Sequence, residues 1–274
     1  MFDALLPAEG VLGQAMRYAT IGGGKRLRPL LLTATAAMHG CDRSQAMRAA
    51  VAIEAVHAFS LAHDDLPCMD DDAMRHGKPS LHKAFGEAVA VLAGDALNTF
   101  AFEVLADPAT SGDPFVRSEL VLVLATASGS QGMVGGQILD IEGERKSFDL
   151  PAITRMQQLK TGALLSAAVE MGAVMGKVPP EGRNHLKGYA RDIGLAFQIA
   201  DDLLDHAGDE AKAGKALRKD AAAGKQTFVG LLGEDRAREQ ARMLTRQAIA
   251  YLGSYGQEAD LLRAVARYIV ERDH

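Results

Sequence analysis

The most acidic stretch of the sequence reads Asp64-Asp65-Leu66-Pro67-Cys68-Met69-Asp70-Asp71-Asp72. It follows an apolar, alanine-rich run at 49–62, so five carboxylates come directly after a helix-like segment. Protonation can neutralise one carboxylate among apolar neighbours, but five close together need cations or water. Pro67 interrupts helical hydrogen bonding, and we expect a local bulge there that brings Asp70 back towards Asp64.

A second acidic cluster occupies residues 201–205, after the apolar run 193–200. In a helix, Gln198, Asp201, Asp202 and Asp205 are spaced i, i+3, i+4 and i+7 and share one face. Three carboxylates at this spacing repel one another unless a cation lies among them. The two clusters together predict one metal site built from both sides. Acidic oxygen ligands favour Mg²⁺, which completes its coordination with waters and substrate phosphates.

The rest of the sequence is typical of an all-α protein. Patterns of period 3.6 are separated by glycine or proline, and alternating β-type segments are hard to find. We predict breaks between helices at 22–24, 40–42, 77–79, 108–114, 143–151, 177–182 and 208–224. No low-complexity linker or fixed repeat divides the chain, which predicts one helical domain over residues 1–274. The middle helices are apolar on most faces, as expected inside a bundle.

Composition and charge exclude several classes of protein. The chain has 274 residues, of which 48% are hydrophobic and 24% charged, and its net charge is −5. The absence of a long basic tract argues against a nucleic-acid surface. Cys41 and Cys68 are too few for a disulfide framework and fit a reducing compartment. With no secretion-signal pattern and no uninterrupted apolar run of about 18 residues, we predict a cytoplasmic protein without stable membrane insertion.

Short basic groups are placed where they could hold anions. Three glycines precede Lys25, Arg26 and Arg28, so the backbone can approach an anion while the side chains donate hydrogen bonds. A basic helix start after a turn is the alternative. His57 shares a helical stripe with Asp64 and Asp65, which indicates a polar cavity wall.

Two later segments have the same ambiguity between phosphate binding and simple structure. Lys160 and Thr161 precede a small-residue helix at 163–173, where they could bind phosphate or mark a helix boundary with a capping threonine. Lys215 and Lys225 lie in a glycine- and lysine-rich loop that could close over phosphates or connect helices in solvent. Acidic and basic groups around an apolar interior fit a substrate with a diphosphate head and an apolar tail.

Five motifs carry a resemblance that covers nearly the whole chain. GGKRLRP at 23–29, DDLPCMDDD at 64–72, KTG at 160–162, FQIADDLLD at 197–205 and the loop containing GK at 224–225 resemble the short-chain trans-isoprenyl diphosphate synthases, most closely the bacterial farnesyl diphosphate synthase type. The resemblance implies an all-α bundle with the isoprenoid synthase fold, a deep central cavity between the aspartate motifs, three Mg²⁺ per active site and a homodimer. The N-terminus is short by comparison, so we expect an incomplete first helix.

The same resemblance implies a role for each matching residue. It places Asp64, Asp65, Asp70 and Asp201 as metal ligands, with Asp202 and Asp205 holding metal-bound water. It places Lys25, Arg28 and His57 at isopentenyl diphosphate, and Arg75, Lys160 and Lys215 at the allylic diphosphate. Thr161 and Gln198 lie near the developing cation, and Lys225 belongs to the closing loop.

The implied reaction joins isopentenyl diphosphate to dimethylallyl and geranyl diphosphate, giving farnesyl diphosphate. Phe59 lies five residues before Asp64, which is about 7.5 Å deeper along the helix. An aromatic residue at this position resembles the one that limits product length in the farnesyl-length enzymes. Geranyl or geranylgeranyl diphosphate synthesis, a non-catalytic subunit of a heteromeric synthase and a terpene cyclase are the alternatives.

Two residues depart from the family pattern. His76 stands where a second arginine serves isopentenyl diphosphate, so we expect weaker binding that improves as the pH falls towards 6. Val229 stands where relatives often have proline, and we expect it to affect only loop stiffness.

Overall fold

The computed structural model describes residues 1–207 and 227–271 and is built almost entirely from helices. Its α-helices are α1 (Phe2–Leu5), α2 (Gly10–Thr20), α3 (Leu27–Met38), α4 (Arg43–Asp64), α5 (Leu81–Phe85), α6 (Glu87–Ala106), α7 (Pro114–Ser128), α8 (Met133–Gly143), α9 (Leu150–Gln157), α10 (Ala163–Met175), α11 (Asn184–Ala207), α12 (Phe228–Leu232), α13 (Glu234–Tyr251) and α14 (Asp260–Glu271). A π-helical turn occupies Gln158–Gly162, and 3₁₀ turns occupy Pro180–Arg183 and Gln257–Ala259. The all-α prediction is confirmed. The predicted break at 77–79 falls in a short hairpin between α4 and α5, the break at 208–224 lies outside the described residues, and α-helices end or begin at the other predicted breaks.

The core lies between helices that are buried on several faces. α4 packs along α6, α10 packs against α3 and α7, and α11 packs along α13. Small side chains let α4 approach its neighbours closely, since Ala49, Ala52 and Ala55 have no exposed surface. Nearly every residue from Leu164 to Met175 of α10 is buried. The apolar middle helices therefore lie inside the bundle, as their composition predicted.

A two-residue hairpin interrupts the helices and was not predicted. β1 (Met74–Arg75) pairs antiparallel with β2 (Lys78–Pro79). The intervening His76 and Gly77 have φ angles of 51° and 76°, and two positive φ values are what a type I′ turn requires. Strands this short leave no alternating pattern in the sequence. The hairpin matters because it sets the directions of Arg75 and His76.

The short helix α12 is anchored to α11 rather than being part of a loop. Thr227 caps it by accepting a hydrogen bond from the Gly230 N–H at 3.0 Å, and Asp202 Oδ2 accepts one from the Phe228 N–H at 2.8 Å. Val229 is helical and only 5% exposed. The expectation that Val229 affects only loop stiffness is wrong, because this side chain packs in the core.

Among residues 1–207 and 227–271, one helix has the length and composition to cross a membrane. An 18-residue window of α6 has a mean hydropathy of 1.5, and 44% of it is buried. Core helices pass the same test, and α6 packs against α2 and α4, so this is weak support for a membrane span.

Candidate active site

A cavity of about 930 Å³ opens among α2, α3, α4, the hairpin, the π-helical turn and α11. Carboxylates of both acidic clusters line it: Asp65, Asp70 and Asp72 from the first, and Asp201, Asp202 and Asp205 from the second. The predicted basic and polar residues on its wall are Lys25, Arg28, His57, Arg75, His76, Lys160, Thr161 and Gln198. Neither Asp64 nor Phe59 is among the described residues that line it, and Lys215 and Lys225 lie outside the described residues.

The first acidic cluster begins where α4 ends. The helix stops at Asp64, before Pro67, so the expected bulge around a helical proline is wrong. Pro67 lacks an N–H and disfavours helix in the residue before it, and the chain turns back instead. The Asp70 N–H donates to the Asp64 carbonyl at 2.9 Å. The backbone therefore returns to Asp64 by a turn beyond the helix.

Arg75 is bound into this first cluster. Its Nε donates to Oδ1 and Oδ2 of Asp65 at 3.0 and 3.2 Å, and its Nη2 also contacts Asp65 and lies 3.2 Å from Asp72 Oδ2. Asp65 is 2% exposed. In this state Asp65 is neutralised by a guanidinium, so acting as a metal ligand requires it to exchange that partner.

The surroundings of Asp64 disfavour its negative charge when no cation is bound. The pKa of Asp64 is raised to about 6, chiefly by burial; Lys160 and Arg75 oppose the rise, while the charges of Asp70 and Asp65 add to it. A divalent cation would offset both the burial and the like charges. The chemistry of Asp64 therefore fits a Mg²⁺ ligand, although its side chain is not among the described residues that line the cavity.

No protein-only metal cage exists in the part of the chain that the structure describes. There, no group of three or more His, Cys, Asp or Glu side chains could hold a metal ion. Mg²⁺ sites in phosphate-transferring proteins use one or two carboxylates together with waters and substrate phosphates. Two separated acidic walls therefore suit ions that bridge them through a diphosphate.

The π-helical turn presents Lys160 and Thr161 to the cavity. It joins α9 to α10 without a break, so the alternative of a helix boundary with a capping threonine is wrong. A Cβ at Gly136 would lie 2.1 Å from the backbone nitrogen of Lys160, so only glycine allows α8 to pass this close to the π-helical turn. Lys160 Nζ donates to Asp140 Oδ2 at 2.7 Å. Such π turns are frequent at functional sites.

The second acidic cluster lies within a continuous helix. α11 runs through Asp201, Asp202 and Asp205, which keeps the predicted common face. Gln198 Nε2 donates to Gln157 Oε1 at 2.5 Å, which ties α11 to the start of the π-helical turn. Asp202 serves α12 as well as the cavity wall, so its expected role of holding metal-bound water is shared with a structural one.

Several cationic side chains also lie close together in the cavity. Burial and the positive charges of Arg28, His76, Arg75 and Arg26 lower the pKa of His57 well below its ordinary value. Burial lowers the pKa of Arg28, while Glu54 and Asp201 raise it. Within the described residues, the buried Arg28 Nε has no hydrogen-bond partner. Such a group fits an anion with several acceptor oxygens.

His76 lies beside the glycine loop in this cationic group. A Cβ at Gly23 would lie 3.1 Å from the His76 Cβ. Burial, then the charges of Arg75, Arg26 and Lys78, lower the pKa of His76. The expected gain in binding on acidification therefore begins at lower pH than an ordinary histidine would give.

Several wall residues were missed by sequence reasoning, among them Glu54 and Gln157, which both line the cavity. The position of Glu54 could have revealed it, because it lies three residues before His57 on the same helical stripe. Gln157 meets its partner Gln198 only through helix packing.

Comparisons with known proteins agree over nearly the whole chain. The polyprenyl synthetase family model matches residues 9–267. Farnesyl diphosphate synthase of Escherichia coli (strain K12) is 44% identical over 282 residues, covering 99% of this chain and 93% of the relative. A chloroplastic geranylgeranyl pyrophosphate synthase of Catharanthus roseus is also 44% identical, over 279 residues that cover 99% of this chain and 77% of the relative.

A solved structure extends this likeness to the fold. The apo structure of an FPP/GFPP synthase from Zymomonas mobilis matches with a TM-score of 0.90 and 54% identity, covering 98% of this chain and 93% of that chain. The bundle around the cavity is thus the all-α isoprenoid synthase fold. The chain belongs to the polyprenyl synthetase family and is a prenyltransferase.

Proposed function

We propose that the enzyme condenses isopentenyl diphosphate with dimethylallyl and then geranyl diphosphate to give farnesyl diphosphate. The observation that carries this proposal is a single cavity whose wall holds carboxylates of both acidic clusters together with several cationic side chains. Two diphosphates need two different environments, one bound through metal and one bound directly by cations. The farnesyl diphosphate synthase relatives support the product assignment.

The site residues divide between these two substrates. Asp64, Asp65, Asp70 and Asp201 would hold Mg²⁺, with Asp202 and Asp205 behind metal-bound water. Arg75, Lys160 and Lys215 would bind the allylic diphosphate, and Lys25, Arg28, His57 and His76 would bind isopentenyl diphosphate. Lys225 would belong to the closing loop. Three Mg²⁺ per site is part of the proposal.

The reaction that follows is ionisation, condensation and elimination. Bound Mg²⁺ supplies positive charge that stabilises the departing diphosphate. Lys160 and Arg75 stabilise the same negative charge as the allylic C–O bond breaks, and electrostatic stabilisation of this kind is usually the largest catalytic contribution. Thr161 and Gln198 direct side-chain oxygens towards the allylic cation. The double bond of isopentenyl diphosphate attacks that cation, and the released diphosphate accepts the departing proton.

Product length is the finer part of the proposal. Phe59 packs edge to face on His63 with ring centroids 5.5 Å apart, one turn before Asp64 on α4. We expect the Phe59 ring to block further growth of the isoprenoid chain once a chain of fifteen carbons occupies the cavity. Phe59→Ala should then lengthen the product, as measured by chromatography of dephosphorylated prenols, and an unchanged product distribution would remove Phe59 from this role.

Geranylgeranyl diphosphate is the second candidate product. A relative as similar as the Escherichia coli enzyme is named a geranylgeranyl pyrophosphate synthase, and Phe59 is not among the described residues on the cavity wall. Chromatography of the wild-type products separates fifteen-carbon from twenty-carbon chains directly.

A cytoplasmic homodimer is also proposed. α7 contacts α6 and α8, and all three helices expose large apolar side chains, including Leu92, Phe115, Leu122 and Ile138. Phe115 is 84% exposed, and a second copy of the chain would cover such a surface. Cys41 and Cys68 are both free, which fits a reducing compartment.

The experiment that tests the function uses purified protein with labelled isopentenyl diphosphate and either dimethylallyl or geranyl diphosphate. With Mg²⁺ present we expect farnesyl diphosphate from both allylic substrates, and with EDTA we expect none. A protein that forms no prenyl product under these conditions would contradict the proposal.

A further inference from the structure

A buried carboxylate lies among the cations of the isopentenyl diphosphate subsite. Glu54 is 5% exposed and lines the cavity one helical turn before His57. Lys25, Arg26, Arg28, Arg75 and His76 line the same cavity. A carboxylate in a site for an anion opposes the site's charge, so its presence needs a physical reason.

Glu54 makes its direct contact with Arg26. Arg26 Nη1 donates to Glu54 Oε1 at 2.7 Å, while Arg26 Nη2 donates to the Thr20 carbonyl at 2.6 Å. Thr20 is the last residue of α2, where helix carbonyls lack intrahelical partners. The guanidinium of Arg26 thus bridges the end of α2 and the middle of α4. Because Arg26 stands at one end of the loop that carries Lys25 and Thr20 at the other, this bridge fixes the positions of both ends.

Glu54 also interacts with Arg28 through charge. Burial raises the pKa of Glu54, and the charges of Arg28 and Arg26 oppose that rise. Reciprocally, Glu54 is the largest influence that offsets the lowering of the Arg28 pKa by burial. Within the described residues, Glu54 Oε2 and Arg28 Nε are both buried and make no hydrogen bond. Glu54 therefore compensates the charge of Arg28 without a direct hydrogen bond to its Nε, while the Arg28 side chain lines the cavity.

We propose that Glu54 is a positioning residue that holds Arg26 and Arg28 in place for isopentenyl diphosphate before this substrate binds. The inference rests on the proposed function and adds a residue that does not itself touch the substrate. Like charges in a confined cavity repel, and long cationic side chains that swing into solvent must be reordered on binding. A buried carboxylate among them lowers both costs in advance.

The net charge of the cavity also affects substrate binding, and this effect alone predicts a change in the opposite direction. The inference is therefore testable. Removing the charge of Glu54 makes the cavity more positive, and on electrostatics alone this would tighten diphosphate binding. If positioning dominates, binding weakens instead, because removing one partner of a buried pair leaves the other charge uncompensated. The direction of the change in KM for isopentenyl diphosphate therefore decides between the two.

The decisive variant is Glu54→Gln, which keeps the size of the side chain and removes its charge. The matched control is Glu119→Gln on α7, because Glu119 pairs with Arg183 Nη1 at 2.5 Å and neither residue is among the described residues that line the cavity. For Glu54→Gln we expect the KM for isopentenyl diphosphate to rise about tenfold, as for loss of a buried charge pair, with less than about twofold change in the KM for geranyl diphosphate. The control should change neither KM.

A direct binding measurement removes the contribution of catalysis. The subsite consists of cations, so isopentenyl diphosphate should bind in EDTA, and calorimetric titration should show the same roughly tenfold weakening in Glu54→Gln. Glu54→Asp keeps the charge on a shorter side chain and should fall between wild type and Glu54→Gln. It also serves as the test if Glu54→Gln does not fold.

The outcomes separate cleanly. An unchanged or lowered KM for isopentenyl diphosphate, or an equal rise in both KM values, overturns the inference while an active wild type preserves the proposed function. A wild type that makes no prenyl product overturns both. A selective rise in the KM for isopentenyl diphosphate, with melting temperature near that of the control, supports the positioning role.

Discussion

The two acidic clusters present similar residues to one cavity but reach it by different means. The second lies inside α11, so helical periodicity alone places Asp201 and Asp205 on a common face. The first begins at the last residue of α4 and continues through a turn, and a backbone hydrogen bond returns Asp70 to Asp64. Side-chain geometry thus follows from sequence spacing in one cluster and from tertiary contacts in the other.

The clusters also differ in how their charge is compensated. In the first, Arg75 binds Asp65 while burial raises the pKa of Asp64. In the second, Asp202 accepts a hydrogen bond from the Phe228 backbone. The first cluster is consequently the one whose charge state should depend most on metal.

The largest expected effect tests whether both clusters serve the same ions. Asp64→Ala and Asp201→Ala should each raise the activation barrier by at least ~3 kcal/mol, a loss of kcat on the order of 10²-fold or more. Steady-state turnover with saturating Mg²⁺ measures this. Near-normal turnover in either variant would show that its cluster lies outside the catalytic site.

A smaller effect is expected on the cationic side of the cavity. His76→Arg restores a permanent charge and a forked donor, so its KM for isopentenyl diphosphate near pH 7 should fall by about fivefold. Because burial and the surrounding positive charges lower the pKa of His76, the wild type should gain affinity only at a lower pH than an ordinary histidine would give.

The variant also controls for protonation of the substrate, which affects both proteins equally. Initial rates across pH give both KM profiles. If His76→Arg shows no gain, or if the two profiles change in parallel, His76 does not contribute to this subsite.

The smallest expected effect concerns stability without metal. Because burial raises the pKa of Asp64 to about 6, the folded protein holds a proton that the unfolded chain releases near its ordinary pKa of about 4. Stability in EDTA should therefore fall as the pH rises from about 4 to about 6, and stay lower above that. Asp64→Asn should remove this part of the slope and raise the melting temperature near pH 7 by about 2 °C.

For comparison, the same pH dependence of stability is measured with added Mg²⁺ and for the variant Asp201→Asn. Added Mg²⁺ with diphosphate should recover the lost stability in wild type and not in Asp64→Asn. Melting curves followed by circular dichroism give both slopes. If stability changes with pH by the same slope in wild type and in Asp64→Asn, a group other than Asp64 causes this pH dependence.

The sequence by itself determined the helical class, the breaks at 22–24, 40–42, 108–114, 143–151 and 177–182, the family resemblance and the common face of residues 198–205. All of these depend on local periodicity, on glycine and proline, or on motifs that are contiguous in the chain. For the same reason the basic residues could be assigned to a diphosphate-binding site before their positions were known.

Only the tertiary structure decided the hairpin that carries His76, the π-helical turn at Lys160 and the partners of Arg26 and Arg75. The Arg26 contacts join α2 to α4, and the hairpin and the π-helical turn leave no periodic pattern in the sequence. Spacing along one helix carries no information about such contacts, because an ion pair forms only where packing brings both charges together.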